Sequence, residues 1–108
     1  MQSKIEFVPK EIAIACLLSP AEQTARRPTA DEIFKSYQQV TELADGYAFS
    51  FPGDENWINT LVEFIKFERE CCPFFNFGLI FEAGHGSIWL ELQGGEGVKS
   101  FIEENMKH

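Results

Sequence analysis

A chain of 108 residues that is 44% hydrophobic and carries 11 phenylalanines is long enough to bury one core without disulfide staples and too apolar to remain disordered. Its 17 acidic residues against 9 basic ones give a formal net charge of −8, a field that opposes phosphate backbones and anionic lipid surfaces and so speaks against nucleic acid and membrane as partners. The first residues hold no apolar region of signal-peptide length, and no later run approaches the roughly 18 apolar residues of a membrane helix, so the expectation is one soluble, cytoplasmic domain over residues 1–108, with 1–10 a loosely ordered lead-in.

In chain order, residues 11–18 (EIAIACLL) form a short apolar run bounded by prolines, the pattern of a central strand, with Ile12, Ile14, Cys16 and Leu18 on one face. Ser19 and Glu22 have capping-box spacing with Pro20 at the first helical position, and Thr29 with Glu32 repeats that spacing ahead of Ile33, Phe34, Tyr37 and Val40. Pro28 interrupts, so two short helices or one kinked helix are expected over about 20–40. Arg26 and Arg27 close the first helical piece, where positive charge favours the carbonyl end of the dipole; their functional alternative is binding an anion or a carboxylate.

Asp45-Gly46 between residues 40–43 and 47–51 signals a hairpin whose second arm alternates Tyr47, Phe49 and Phe51 with Ala48 and Ser50. Asp54 can cap a helix that Pro73 must end, placing the longest helix at about 54–71. At roughly 100° per residue, Trp57, Ile58, Leu61, Phe64 and Ile65 share one arc. A second hairpin joins residues 75–81 to 87–93 through Ala83-Gly84-His85-Gly86, and Val98, Phe101 and Ile102 mark a final helix over about 97–106. The order β-α-β-β-α-β-β-α predicts an α+β fold, an antiparallel sheet of about five strands with helices mainly on one face, ferredoxin-like in part.

Continuing the wheel of the long helix puts Glu68 inside the apolar arc, with Cys71 and Cys72 on either side. A carboxylate aimed at a core must be protonated, meet a cation or accept good hydrogen bonds, and so Glu68 is expected to be buried. A pair of adjacent cysteines diverges on a continuous helix but can converge where a helix ends before proline. Their direct disulfide would be strained, and Cys16 can serve only one of them, so all three cysteines are expected as reduced thiols. Cys16 lies on the strand face that the long helix would cover, which predicts its sulfur within reach of Cys71 or Cys72. Thiolates are soft ligands and select Hg(II), Cu(I) or Zn over Ca or Mg. The candidate metal ligands are therefore Cys71, Cys72, Cys16 and Glu68. The plain alternative is that cysteines pack as small hydrophobes. Phosphate-binding loops, a nucleophile elbow, paired Cys-x-x-Cys motifs and the His-Glu-x-x-His zinc signature are absent, and His85 and His108 read as solvated.

The run Glu68-Arg69-Glu70-Cys71-Cys72-Pro73-Phe74, with Cys16 before Leu17-Leu18-Ser19-Pro20 upstream and Trp89-Leu90 leading to Gly94-Gly95-Glu96-Gly97 downstream, resembles a small family of bacterial proteins with a Glu-Arg-x-Cys-Cys-Pro-Phe signature. Members are found alone or near regulators of the mercury-responsive type. The resemblance covers about residues 16–102 and implies a link to soft-metal or thiol stress, hence heavy-metal resistance, without assigning a reaction. Cys16, Glu68, Cys71 and Cys72 match the pattern, whereas Pro28 breaks a helix that similar proteins continue, which counts against anion binding by Arg26 and Arg27. The expected function is a binding module for a thiophilic metal. The alternatives are a protein-interaction or homodimerising domain with core cysteines and, more weakly, a thiol enzyme, which lacks an evident histidine base.

Overall fold

The computed structural model describes residues 30–107. Two antiparallel hairpins build its sheet, β1 (Gln39–Leu43) with β2 (Gly46–Phe51) and β3 (Asn76–Phe81) with β4 (Ile88–Gln93). Helix α1 (Glu55–Cys71) joins the hairpins, α2 (Val98–Asn105) follows the second, and residues 30–35 are helical as well. The strands lie in the order β1-β2-β4-β3, and every pairing is antiparallel. Since β2 and β3 both run against β4, they are parallel to each other with β4 between them. The segment β2, α1, β3 is thus a split β-α-β unit, and the end of α1 is where the chain returns to the sheet.

Alternation assigns the two sheet faces. Rows of directly opposed residues, Val40-Phe49-Leu90-Leu79 and Tyr47-Leu92-Phe77, line one face. Against that face pack Ile33 and Phe34, Leu61 and Phe64 of α1, and Val98 and Ile102 of α2, all in one buried cluster. Edge-to-face aromatic pairs set its geometry: the Phe34 ring lies 5.1 Å from Phe49 and 5.4 Å from Phe64. Helix α2 is tied to β2 by Tyr47, whose hydroxyl donates to the Glu103 carboxylate while Lys107 and Lys99 stand 4.8 Å and 5.5 Å from its ring centre. That hydrogen bond, helped by burial, pushes the Tyr47 phenol up to about 12.

Asp54 does cap α1: its Oδ1 accepts from the Trp57 N–H at 2.8 Å. The expected apolar arc holds, with Leu61 and Phe64 buried and Trp57, Ile58 and Ile65 packed partly buried against the core. Gly46 sits at the hairpin as predicted, but for a different reason. The left-handed glycines among the described residues are Gly84 and Gly97; Gly46 is needed because a Cβ there would lie 1.9 Å from the Leu92 carbonyl oxygen of β4.

Two sequence expectations change. The helix expected to run to about 40 stops at residue 35, where Ser36 N–H bonds the Ile33 carbonyl and Gln38 N–H already bonds Ser50 of β2. Strand pairing thus claims Val40, which the sequence placed both at the end of the helical spacing and at the start of the first hairpin arm. The sheet has four strands among the described residues; the expected strand at 11–18 and the segment 1–10 lie outside them. The neighbour of β2 opposite β4 is β1, supplied by a hairpin, whereas a ferredoxin-like sheet would fill that position after a second helical crossover. No helix among the described residues is long and apolar enough to cross a membrane.

The opposite sheet face is buried too, and it carries an acid. Ser50, Ala48, Trp89 and Glu91 are all under 8% exposed. Glu91 stands between Ala48 and Gly78, where the missing side chain of Gly78 leaves room: a Cβ there would approach Glu91 Oε1 to 3.0 Å. Glu91 Oε2 is buried with no hydrogen-bond partner, and burial pushes its carboxyl above the ordinary value.

Asp54→Ala removes one capping bond and should cost about 1 kcal/mol, read from the denaturant midpoint. For Glu91, a folded-state pKa raised above the unfolded one means that its favourable contribution is complete below the unfolded value of 4.5 and is lost as pH rises through the folded value. Glu91→Gln, neutral throughout, should therefore gain stability over the parent at about pH 7 and lose that gain near pH 4. Chemical denaturation at both pH values measures it, and an equal effect at the two would show that ionisation is not the cause.

Candidate thiol and carboxylate site

The candidate site is the last turn of α1. Glu68, Cys71 and Cys72 stand at i, i+3 and i+4, the spacing that stacks side chains on one helical face. On a helix continued past Cys72 the two thiols would diverge by a further 100° step, but Cys72 is the capping residue, with φ −124° and ψ 70°. Pro73 is the cause, since its ring disfavours helical backbone in the residue before it. The Cys72 N–H still closes on the Glu68 carbonyl at 2.6 Å, and the Phe75 N–H then bonds the Cys72 carbonyl at 3.2 Å, completing the turn that starts β3.

The turn is anchored by rings on both sides of the split. Phe74 and Phe75 stack at 4.6 Å; Phe74 meets Phe101 of α2 edge-on at 5.2 Å, and Phe75 meets Phe77 of β3 at 5.7 Å. Backbone and packing together hold the two cysteines where they are.

A carboxylate oxygen of Glu68 and the sulfurs of Cys71 and Cys72 all lie within 4.8 Å of one another. Glu68 is 7% exposed, as its place in the apolar arc predicts, and Cys72 is 5% exposed. The three donors sit in a buried setting, although the Cys71 residue as a whole keeps intermediate exposure. With a thiolate–metal bond of about 2.3 Å, two sulfurs would be roughly 3.8 Å apart on a tetrahedral edge and roughly 4.6 Å apart across a linear centre. Both fit inside the observed span, so the donor set suits zinc with added ligands or a two-coordinate soft ion.

One expectation is overturned. Cys71 is disulfide-bonded, so the cysteines are not all reduced. The strain that forbids an easy Cys71–Cys72 bond still holds, because Cys72 is a buried thiol outside that bond. What the strain rule never covered is a bond from Cys71 to a distant sulfur. Cys16, Arg26 and Arg27 lie outside the described residues. The predicted approach of Cys16 to the pair therefore falls outside the described residues. His85 is exposed in its turn, with φ 57°, as a solvated histidine would be.

Sequence reasoning passed over Glu91, because strand alternation put it in the polar row with Ser87 and Gln93. The available signal was Trp89 in that same row. Its indole N–H donates to Glu82 at 2.5 Å while the ring is buried with Ala48 and Ile80.

Alkylation of the unreduced chain in denaturant should label Cys72 and leave Cys71 unlabelled, and prior reduction should expose Cys71; peptide mass mapping reads both. A label at Cys71 without reduction would contradict the disulfide. Comparison of the chain with protein families, with curated proteins and with solved structures finds no match.

Proposed function

We propose that the chain is a binding module for a soft, thiophilic cation, held in the reduced protein by Cys71 and Cys72 with Glu68 as the oxygen donor. The observation that carries this reading is the meeting of two sulfurs and a carboxylate within 4.8 Å in a buried setting. Once Cys71 is reduced, such a cluster of ionisable groups is either protonated and inert or held together by a cation. A net charge of −8 draws cations toward the surface, and the Glu-Arg-x-Cys-Cys-Pro-Phe signature agrees with a role in soft-metal stress. Hg(II), Zn and Cu(I) are the ions of matching softness, with Cys16 as the further sulfur the chain has to offer. The domain works in the cytoplasm, in a heavy-metal response, by binding rather than by catalysis.

A homodimerising or interaction domain is the competing reading, and what favours it is the exposure of Phe81, 54% at the end of edge strand β3, and of Phe67, 50% on α1. Single exposed aromatics are ordinary on monomer surfaces, whereas buried thiol-carboxylate clusters are not.

The test is native mass spectrometry of the reduced chain titrated with Hg(II) or Zn. One ion should bind, with release of thiol protons, and affinity should fall as pH is lowered because protons compete for the thiolates. The Cys71→Ser, Cys72→Ser double variant should lose binding while keeping its circular dichroism. Unchanged affinity in that variant would leave the interaction domain as the better reading.

A further inference from the structure

The two outer strands of the sheet are defended unequally. β1 carries Gln39, Thr41 and Glu42, and Glu42 is engaged by Lys99 of α2. β3 reads Asn76-Phe77-Gly78-Leu79-Ile80-Phe81, with neither a charge nor a proline to turn another strand away. Among the described residues its one neighbour is β4, and its exposure is that of an open edge. Every position of β3 stays partly exposed and Phe81 reaches 54%, whereas β2, flanked on both sides, is buried throughout.

Backbone bonds fix which amides face outward. The Gly94 N–H bonds the Asp45 carbonyl, on the β2 side, so in the two-residue alternation of an antiparallel ladder Trp89, Glu91 and Gln93 of β4 bond β3. Their partners are Ile80, Gly78 and Asn76, and at the end of that ladder the Glu82 N–H donates to the Ser87 carbonyl at 3.1 Å. The N–H and C=O groups of Phe77, Leu79 and Phe81 therefore point away from β4.

We propose that β3 is a dimer edge: two copies of the chain pair antiparallel along this strand, so that their sheets run on as one. A twofold axis at Leu79 sets Leu79 against its mate, Phe77 against Phe81 of the second copy, and Gly78 against Ile80 of the second copy. All three outward-facing residues then exchange backbone bonds, and a shift of the axis in either direction would lose some of them. The same register matches side chains. Phe81 ends the row Phe51-Ile88-Phe81 on the sheet face that carries Leu79 and Phe77, so two phenylalanine rings meet across the join. Gly78 leaves room for the facing isoleucine. Glu82, the charge that borders the strand, meets Asn76 rather than a second Glu82, which lets a chain of net charge −8 approach its copy along this edge. The pairing leaves Glu68, Cys71 and Cys72 out and is independent of the metal-binding reading.

Sedimentation velocity of the full chain, with reductant present so that no intermolecular disulfide contributes, should show a monomer–dimer equilibrium. Added salt should shift it toward the dimer, because screening relieves the repulsion between two acidic copies. Phe81→Lys, at a position exposed enough to accept it, should weaken the dimer about tenfold or more. Amide exchange followed by NMR reads the register: protection at Phe77, Leu79 and Phe81 should rise with chain concentration, while Gly78 and Ile80, bonded to β4, are protected throughout. A chain that stays monomeric up to about 1 mM overturns the proposal. So does a dimer that keeps its full strength in Phe81→Lys, or one in which the amides of Phe77, Leu79 and Phe81 exchange as fast as in the monomer.

Discussion

Pro73 decides more of this molecule than any other single residue. Its ring cannot follow a helical residue without a clash, so Cys72 leaves the helix one position early and the chain turns toward β3. Without that break, Cys71 and Cys72 would point in directions about 100° apart, each still beside Glu68 at i+3 and i+4. With it, both sulfurs face the carboxylate one turn back. The same break starts the split β-α-β return, and the Phe74 and Phe75 rings fix it by packing on Phe101 and Phe77. A local backbone rule, reinforced by aromatic packing, therefore connects the fold and the chemistry.

The two buried acids illustrate how the same side chain acquires different meanings. Glu68 is carried into the interior by helical periodicity and meets two sulfurs there. Glu91 is carried into the opposite sheet face by strand alternation, beside a glycine that leaves it space and with one oxygen lacking a hydrogen-bond partner. The second arrangement raises the carboxyl by desolvation, the ordinary outcome for a group deprived of water. The first places a carboxylate oxygen within 4.8 Å of two sulfurs. In a chain with so negative a charge, burying Glu68 and Glu91 costs stability, and of the two it is Glu68 that has sulfurs beside it.

The disulfide at Cys71 changes how the cysteine cluster is understood. A site assembled from permanently reduced thiols would be a static trap for an ion.

What the sequence by itself determined is whatever depends on short-range chemistry. The bounds of α1 follow from Asp54 and Pro73, both hairpins follow from their turn residues, and the convergence of Glu68, Cys71 and Cys72 follows from a spacing of three and four. Each of these is decided within one or two turns of chain. Only the tertiary structure decided the order β1-β2-β4-β3, the end of the first helical segment at residue 35, the burial of Glu91, and the bond at Cys71. Gln38 pairs with Ser50, and Ala48 and Gly78 flank Glu91, across separations that no local pattern encodes. In each of these cases the partner is chosen by which surfaces the sheet brings together, and helical or strand propensity at one site yields to pairing and packing at another.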